Sequence, residues 1–127
     1  MTEVEDKIRE TIAVYLERFS AGDREGWLDL FAPDATMEDP VGTELKHGRD
    51  EIGAFWDESL SLADEITLKM VQGPAVIGHE AAWAMEAHAK SGEMRIVSGT
   101  IDVMTFDDDG RITTMRAFYR PEDARIV

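Results

Sequence analysis

Three side chains carry the chemistry that this sequence offers. Asp102 stands inside residues 95–106, Arg-Ile-Val-Ser-Gly-Thr-Ile-Asp-Val-Met-Thr-Phe, the best strand candidate of the chain. At a period of two it shares a face with Ile96, Met104 and Phe106, while Ile101 and Val103 point the other way. An ionised carboxylate in such a place is costly unless paired. Either Asp102 meets a cation from elsewhere, with Arg116 on the last strand as the candidate, or it keeps its proton and donates a hydrogen bond. Asp39 precedes Pro40 at the end of a short extended segment. A carboxylate there serves either as turn chemistry or as a general base at the mouth of a pocket, since Asp is ionised near neutrality without help. Tyr15 lies on the apolar face of the first helix, where its phenol needs a hydrogen-bond partner, either a core carbonyl or a ligand.

Other polar groups carry less. His47, His79 and His88 have no metal-ligand spacing, and the run from Asp107 to Gly110 lacks the downstream ligands of a calcium loop and reads as a hairpin turn. No glycine-rich phosphate loop is present. There are no cysteines, which excludes a disulfide frame and thiolate metal sites.

The elements that position these residues follow from periodicity. Thr2 and Glu5 have capping-box spacing, and Val4, Ile8, Ile12, Tyr15, Leu16 and Phe19 recur at helical intervals to about Ser20. A second, short helix is expected after Asp23 through Trp27, Leu28 and Phe31, stopped by Pro33, and then an extended segment over 35–38. Residues 41–48 read as a loop and 49–62 as a third helix with Ile52, Phe55, Trp56 and Leu60 on its apolar side. From Ile66 the period changes to two. Gly73-Pro74 is expected to break the first of these strands, and turns are expected at Gly78-His79, Ser91-Gly92 and 107–110, with a last strand over 111–119. Helices first and an antiparallel meander after give an α+β layout with the helices on one side of a curved sheet.

Composition bounds the function class. The 127 residues suit one domain, 1–127, large enough for a real core. Apolar residues are 43% and charged ones 31%, which indicates a globular protein rather than a disordered chain. The formal charge of −14, from 13 Lys and Arg against 27 Asp and Glu, argues against nucleic acid and anionic membranes as partners. The charged N-terminal stretch has no signal-peptide core, and no apolar run approaches the ~20 residues of a membrane span, so a cytoplasmic protein is expected.

Taken together, the segments around these residues resemble a known family. Ala21-Gly22-Asp23, then Leu30-Phe31-Ala32-Pro33-Asp34-Ala35-Thr36-Met37-Glu38-Asp39-Pro40-Val41-Gly42, closely resembles the steroid Δ5-3-ketosteroid isomerases of the NTF2-like (SnoaL-like) superfamily. The resemblance continues through Ile101-Asp102-Val103-Met104, Gly110-Arg111-Ile112 and Met115-Arg116-Ala117, and covers about residues 5–120. It implies the cone-shaped NTF2-like fold, with three N-terminal helices packed on a curved, mainly antiparallel sheet around a deep apolar pocket.

The resemblance also implies roles. Asp39 matches the general base that moves a proton from steroid C4 to C6. Tyr15 and a protonated Asp102 match the two donors to the C3 oxygen, a neutral carboxylic acid being a feature of these isomerases. Such chemistry requires neither metal nor cofactor. Phe31, Val41, Trp56, Trp83, Met85, Met115, Phe118 and Tyr119 are candidate lining of the steroid slot. Trp56 and Phe31 stand where some members carry tyrosines that extend the phenol network, and neither side chain can accept a hydrogen bond. A homodimer is implied by the family. A polyketide cyclase or a non-catalytic binding module on the same fold are the alternatives, because one scaffold hosts many functions.

Overall fold

The computed structural model describes residues 2–127; Met1, the first residue of the expected 1–127 domain, lies outside them. The first helix, α1 (Glu3–Ser20), opens on the expected capping box. Thr2 Oγ1 accepts from the Glu5 backbone N–H at 3.1 Å, and a Glu5 carboxylate oxygen accepts from the Thr2 N–H at 2.8 Å. Its apolar stripe buries Ile8, Ile12, Tyr15 and Phe19. A short helix α2 (Arg24–Leu28) follows, capped by Asp23, whose Oδ1 accepts from Gly26 N–H at 3.0 Å.

Here the structure corrects the sequence reading. Phe31 is not part of the second helix, and Pro33 does not end it: both belong to strand β1 (Phe31–Glu38). β1 runs parallel to β6 (Ile112–Phe118), and the register shifts between Phe31 and Thr36. Pro33 sits in that irregularity, where no ladder N–H is required, so a proline is tolerated inside the strand. Residues 41–48 are mostly loop but contain the short strand β2 (Lys46–His47), which pairs with β1. Helix α3 (Gly48–Ser61) begins and ends one residue before the expected bounds. Arg49 fastens its start to β1 by donating from Nε and Nη2 to the Phe31 carbonyl at 3.0 and 2.6 Å.

The remaining strands are β3 (Glu65–Ile77), β4 (Glu80–Ser91), β5 (Met94–Phe106) and β7 (Arg125–Ile126), the last preceded by a 3-10 turn, Pro121–Asp123. Gly73-Pro74 bends β3 rather than ending it: the register against β4 shifts twice between Met70 and Ala75, and the strand continues. Gly73 has φ +100°, and a Cβ there would lie 3.1 Å from that of Trp83, so this bend needs glycine. The order across the sheet is β2-β1-β6-β5-β4-β3, with β7 on β5. The sheet is curved, unclosed and mixed: β1–β6 is parallel and the other pairings are antiparallel.

Helices α1 and α3 cover one face. Between them and the sheet lie Ile8, Ile12, Met37, Ile52, Met104 and Ile112, all at most 1% exposed. Among the described residues no helix is long and apolar enough to cross a membrane.

Candidate active site

The inward faces of β4, β5 and β6 and the facing sides of α1 and α3 enclose a cavity of about 350 Å³. Tyr15, Asp39 and Asp102 all line it, brought there from a helix, a strand end and a central strand. Asp102 is 0% exposed. Period two places it inward with Thr100 and Met104, as expected, opposite Trp83 on β4 and Ala117 on β6. Thr100 Oγ1 donates to Asp102 Oδ1 at 3.0 Å, and Oδ2 is buried with no partner among the described residues.

The pairing of Asp102 with Arg116 does not occur. Arg116 stands opposite Val103, on the outward face of β6, and its Nε donates to Glu38 Oε1 at 3.0 Å. A residue whose neighbours Met115 and Ala117 point inward must itself point outward.

Asp39 follows β1 directly and is held between two fixed points. Glu38, just before it, stands opposite Arg116 in the β1–β6 ladder and accepts from the Gly42 N–H at 3.0 Å. Val41 N–H donates to the Ala117 carbonyl at 2.8 Å. The chain between these anchors turns Asp39 toward the cavity, and its Oδ1 is buried without a donor among the described residues.

The proposed lining divides into three groups. Met85, Met115 and Tyr119 do line the cavity. Phe31, Trp56 and Trp83 do not; they are buried behind it. Phe31 and Trp83 pack on the Tyr15 ring, at centroid separations of 6.2 and 6.4 Å, and so fix its position instead of meeting a ligand. Trp56 packs on Phe19 and Trp27. Val41 and Phe118 lie on the opposite side of the sheet, where they line an outer groove of about 700 Å³. Strand alternation separates Phe118 from Met115: three residues apart, they cannot share a face.

Several lining residues were not singled out from sequence: Phe19, Phe55, Leu62, Ile66, Leu68, Ser98 and Thr100. Thr100 was within reach of the period-two argument, being two residues from Asp102 on the same face. The apolar ones had no signal, because a residue beside a cavity and a residue in solid core follow the same pattern.

Burial sets the electrostatics. It pushes Asp39 up to about 6, with the Tyr119 hydroxyl and then the Lys46 charge pulling it back. It pushes Asp102 further, to about 7; the negative charge of Asp39 adds to this and the Thr100 hydrogen bond opposes it. Two carboxyls facing one apolar space are thus driven apart, Asp39 ionising first and Asp102 holding its proton longer. The Tyr15 hydroxyl is raised well above its ordinary value by burial first, then by the charges of Asp102 and Asp39, and stays a donor. The cavity therefore holds two carboxyls that titrate near neutrality and a phenol that keeps its proton, in largely apolar surroundings. Among the described residues no group of three or more His, Asp or Glu is arranged to hold a metal ion.

Comparison with known proteins places the chain in a family. The SnoaL-like domain family matches residues 12–115. The chain is 40% identical over 117 residues to a steroid Delta-isomerase of Nocardioides simplex, covering 92% of this chain and 93% of that protein. A local match, 46% identical over 50 residues, joins it to the epoxide hydrolase LasB of Streptomyces lasalocidi, of which it spans only 18%. Among solved structures, the epoxide hydrolase/cyclase-like enzyme SalBIII of pyran ring formation in polyether salinomycin superposes with a TM-score of 0.85 at 26% identity, over 97% of this chain and 98% of that one. A computationally designed 17-OHP binder has the same fold, with a TM-score of 0.82 at 24% identity over 95% and 96%. With a family match over most of its length and a near full-length relative at such identity, the chain belongs to the SnoaL-like (NTF2-like) family.

Proposed function

We propose that the protein moves the double bond of 3-oxo-Δ5-steroids into conjugation, giving the Δ4 ketone, without metal or cofactor. The near full-length steroid Delta-isomerase relative supports isomerase activity. The observation that carries the finer reading is the pair of buried carboxyls on one apolar cavity, pushed to about 6 and about 7, with a phenol beside them.

In this reading ionised Asp39 removes a proton from C4, next to the carbonyl. The electron pair moves through the C3–C4 bond onto the C3 oxygen, giving a dienolate. Tyr15 and protonated Asp102 donate to that oxygen where negative charge develops, and in an apolar cavity such donors act more strongly than in water. An ionised Asp102 would repel the same oxygen. The dienolate then takes the proton from Asp39 at C6, which restores the carboxylate and leaves the conjugated enone. One base suffices if C4 and C6 lie on the same ring face beside it. The test is direct: purified protein and a Δ5-3-ketosteroid, followed by the ultraviolet absorbance of the enone. Absorbance growing no faster than in the absence of protein eliminates the proposal.

A second reading has one observation in its favour. A neutral and an ionised carboxyl on one cavity also suit epoxide opening, the acid protonating the epoxide oxygen while the base takes the proton of an internal hydroxyl. The local and structural likeness to LasB and SalBIII points the same way. Turnover of a hydroxy-epoxide polyketide, with none of the steroid, selects this reading.

We further propose a homodimer through the outer face of the sheet. Val71, Ile101 and Phe118 are exposed there at 62%, 53% and 42%, an apolar surface of the kind that association covers. A monomer in sedimentation at micromolar concentration refutes it.

A further inference from the structure

We propose that Trp27 is a positioning residue for Tyr15, its indole N–H donating to the Tyr15 hydroxyl as charge develops on it. The proposal rests on the reading of Tyr15 as an oxyanion donor. Trp27 is 0% exposed, and its Nε1 is buried with no partner among the described residues. A buried N–H with no acceptor is costly, so a fold that keeps one at this position needs a reason.

Among the rings packed on Trp27, one carries an acceptor. Four rings pack on Trp27: Phe31 at 4.8 Å between centroids, Trp56 at 5.1 Å, Phe19 at 5.6 Å and Tyr15 at 5.7 Å. The two phenylalanines have no polar atom, and the Trp56 indole donates but does not accept. The Tyr15 oxygen alone carries lone pairs. It is also the group on which Trp27 acts electrostatically: against the stronger upward push of burial, Asp102 and Asp39, the indole draws the Tyr15 hydroxyl downward.

The element that carries Trp27 is fastened from both sides. Gly26 N–H donates to Asp23 Oδ1 at 3.0 Å, and the Gly26 carbonyl accepts from Arg18 Nη1 at 2.7 Å. Arg18 lies on α1, one turn beyond Tyr15, so the helix that supplies the phenol also holds the turn that supplies the indole. While Tyr15 is neutral its oxygen is a modest acceptor. When it donates to an enolate, negative charge moves onto that oxygen, and the bond from the indole strengthens as part of a chain of hydrogen bonds. The indole then favours the transition state over the ground state, which raises kcat rather than lowering KM.

The experiment has two arms, so that this proposal and the isomerase reading fail separately. In the full chain labelled with 15N at the tryptophan indoles, the Trp27 N–H resonance is assigned with Trp27→Phe. It is then followed with and without 2-naphthol, a flat phenol that mimics a dienolate, in the wild type and in Tyr15→Phe. The expected result is a downfield move on binding in the wild type that Tyr15→Phe abolishes. A resonance unaffected by naphthol, or equally affected in both proteins, overturns the proposal whether or not the protein turns over a steroid. In the second arm Trp27 is replaced by benzothienylalanine, which keeps the ring shape and exchanges N–H for sulfur. We expect kcat on a Δ5-3-ketosteroid to fall about 3- to 10-fold with KM unchanged, the loss of one neutral hydrogen bond. An unchanged kcat, or a change in KM alone, overturns the role in turnover and leaves Trp27 as packing.

Discussion

Glu38 and Asp39 are adjacent in the chain and belong to opposite faces of the sheet. Glu38 looks outward, where the Gly42 N–H and then the Arg116 guanidinium hold its carboxyl below the ordinary value. Asp39 looks inward, where burial outweighs its neighbours and raises it to about 6. The two have nearly the same intrinsic acidity. The difference comes from the strand: a turn of one residue exchanges solvent and a cation for an apolar cavity. The same contrast recurs on the next strands, where Asp102 and Thr100 point inward while Arg116 points outward. The outer face carries paired, solvated charges, among them Arg116–Glu38 and Arg125–Glu86. The inner face carries two carboxyls, Asp39 and Asp102, each with one oxygen that has no partner among the described residues. Unpaired buried carboxyls destabilise a fold, and two of them on one cavity are the feature on which the proposed function rests.

The largest effect that this contrast predicts is on turnover. Asp39→Asn should lower kcat on a Δ5-3-ketosteroid by about 10²–10⁴, as for a lost general base, while Glu38→Gln next to it should leave kcat within a few fold. Steady-state rates of both variants check the comparison; equal losses would mean that the loop, and not the inward carboxylate, matters. Next come the two donors. Tyr15→Phe and Asp102→Leu should each cost roughly 10²–10³ in kcat. Asp102→Asn should cost less than Asp102→Leu, because an amide still donates, and the reverse order would contradict a neutral acid.

Much of this contrast could be read from the sequence, and the failures are instructive. The face that Asp102 shares with apolar Met104 and Phe106 followed from alternation within one long strand, and the cap of α1 from Thr2 and Glu5, because both are local properties. The choice between a paired and an unpaired Asp102 stayed open because alternation says which residues share a face but not which face of the last strand is inside; that depends on pairing with β5, a contact between distant segments. The sequence pattern places Phe31 in a helix because its strand opens on two consecutive buried residues, Phe31 and Ala32, followed by two exposed ones, Pro33 and Asp34, which hides the period. Phe31, Trp56 and Trp83 were expected to meet a ligand because aromatic residues suit a steroid slot. Phe31 and Trp83 instead pack on the Tyr15 ring and Trp56 on Phe19 and Trp27, and no sequence pattern distinguishes the front of such a wall from its back.

The pH dependence sharpens the comparison further. The proposed reaction uses Asp39 without its proton and Asp102 with it. The plot of kcat/KM should therefore rise as pH increases through about 6 and fall above about 7, a narrow bell whose limbs belong to the coupled pair. Asp102→Asn cannot lose its donor proton, so its profile should keep the rising limb and lose the falling one. A falling limb that survives in Asp102→Asn would assign it to another group.

The smallest effect is on stability, and there the two faces should differ in sign. Asp102 has its folded pKa raised above the unfolded one, so the folded state holds a proton that the unfolded state releases. That contribution is present at low pH and is lost as pH rises through about 7. Asp102→Asn removes the burden of a buried carboxylate and should stabilise the protein by roughly 1–3 kcal/mol at pH 8, the gain shrinking as pH falls toward 4. Glu38 is the opposite case: its folded pKa is depressed, so its carboxylate stabilises above its unfolded pKa and ceases to do so as pH falls through the folded value. Glu38→Gln should therefore destabilise at pH 8 and become neutral in acid. Denaturant unfolding of both variants at pH 8 and pH 4 measures the pair of signs. A destabilised Asp102→Asn at pH 8 would mean that the carboxylate is held by a donor that an amide cannot replace, and the assignment of Asp102 as a neutral acid would fall with it.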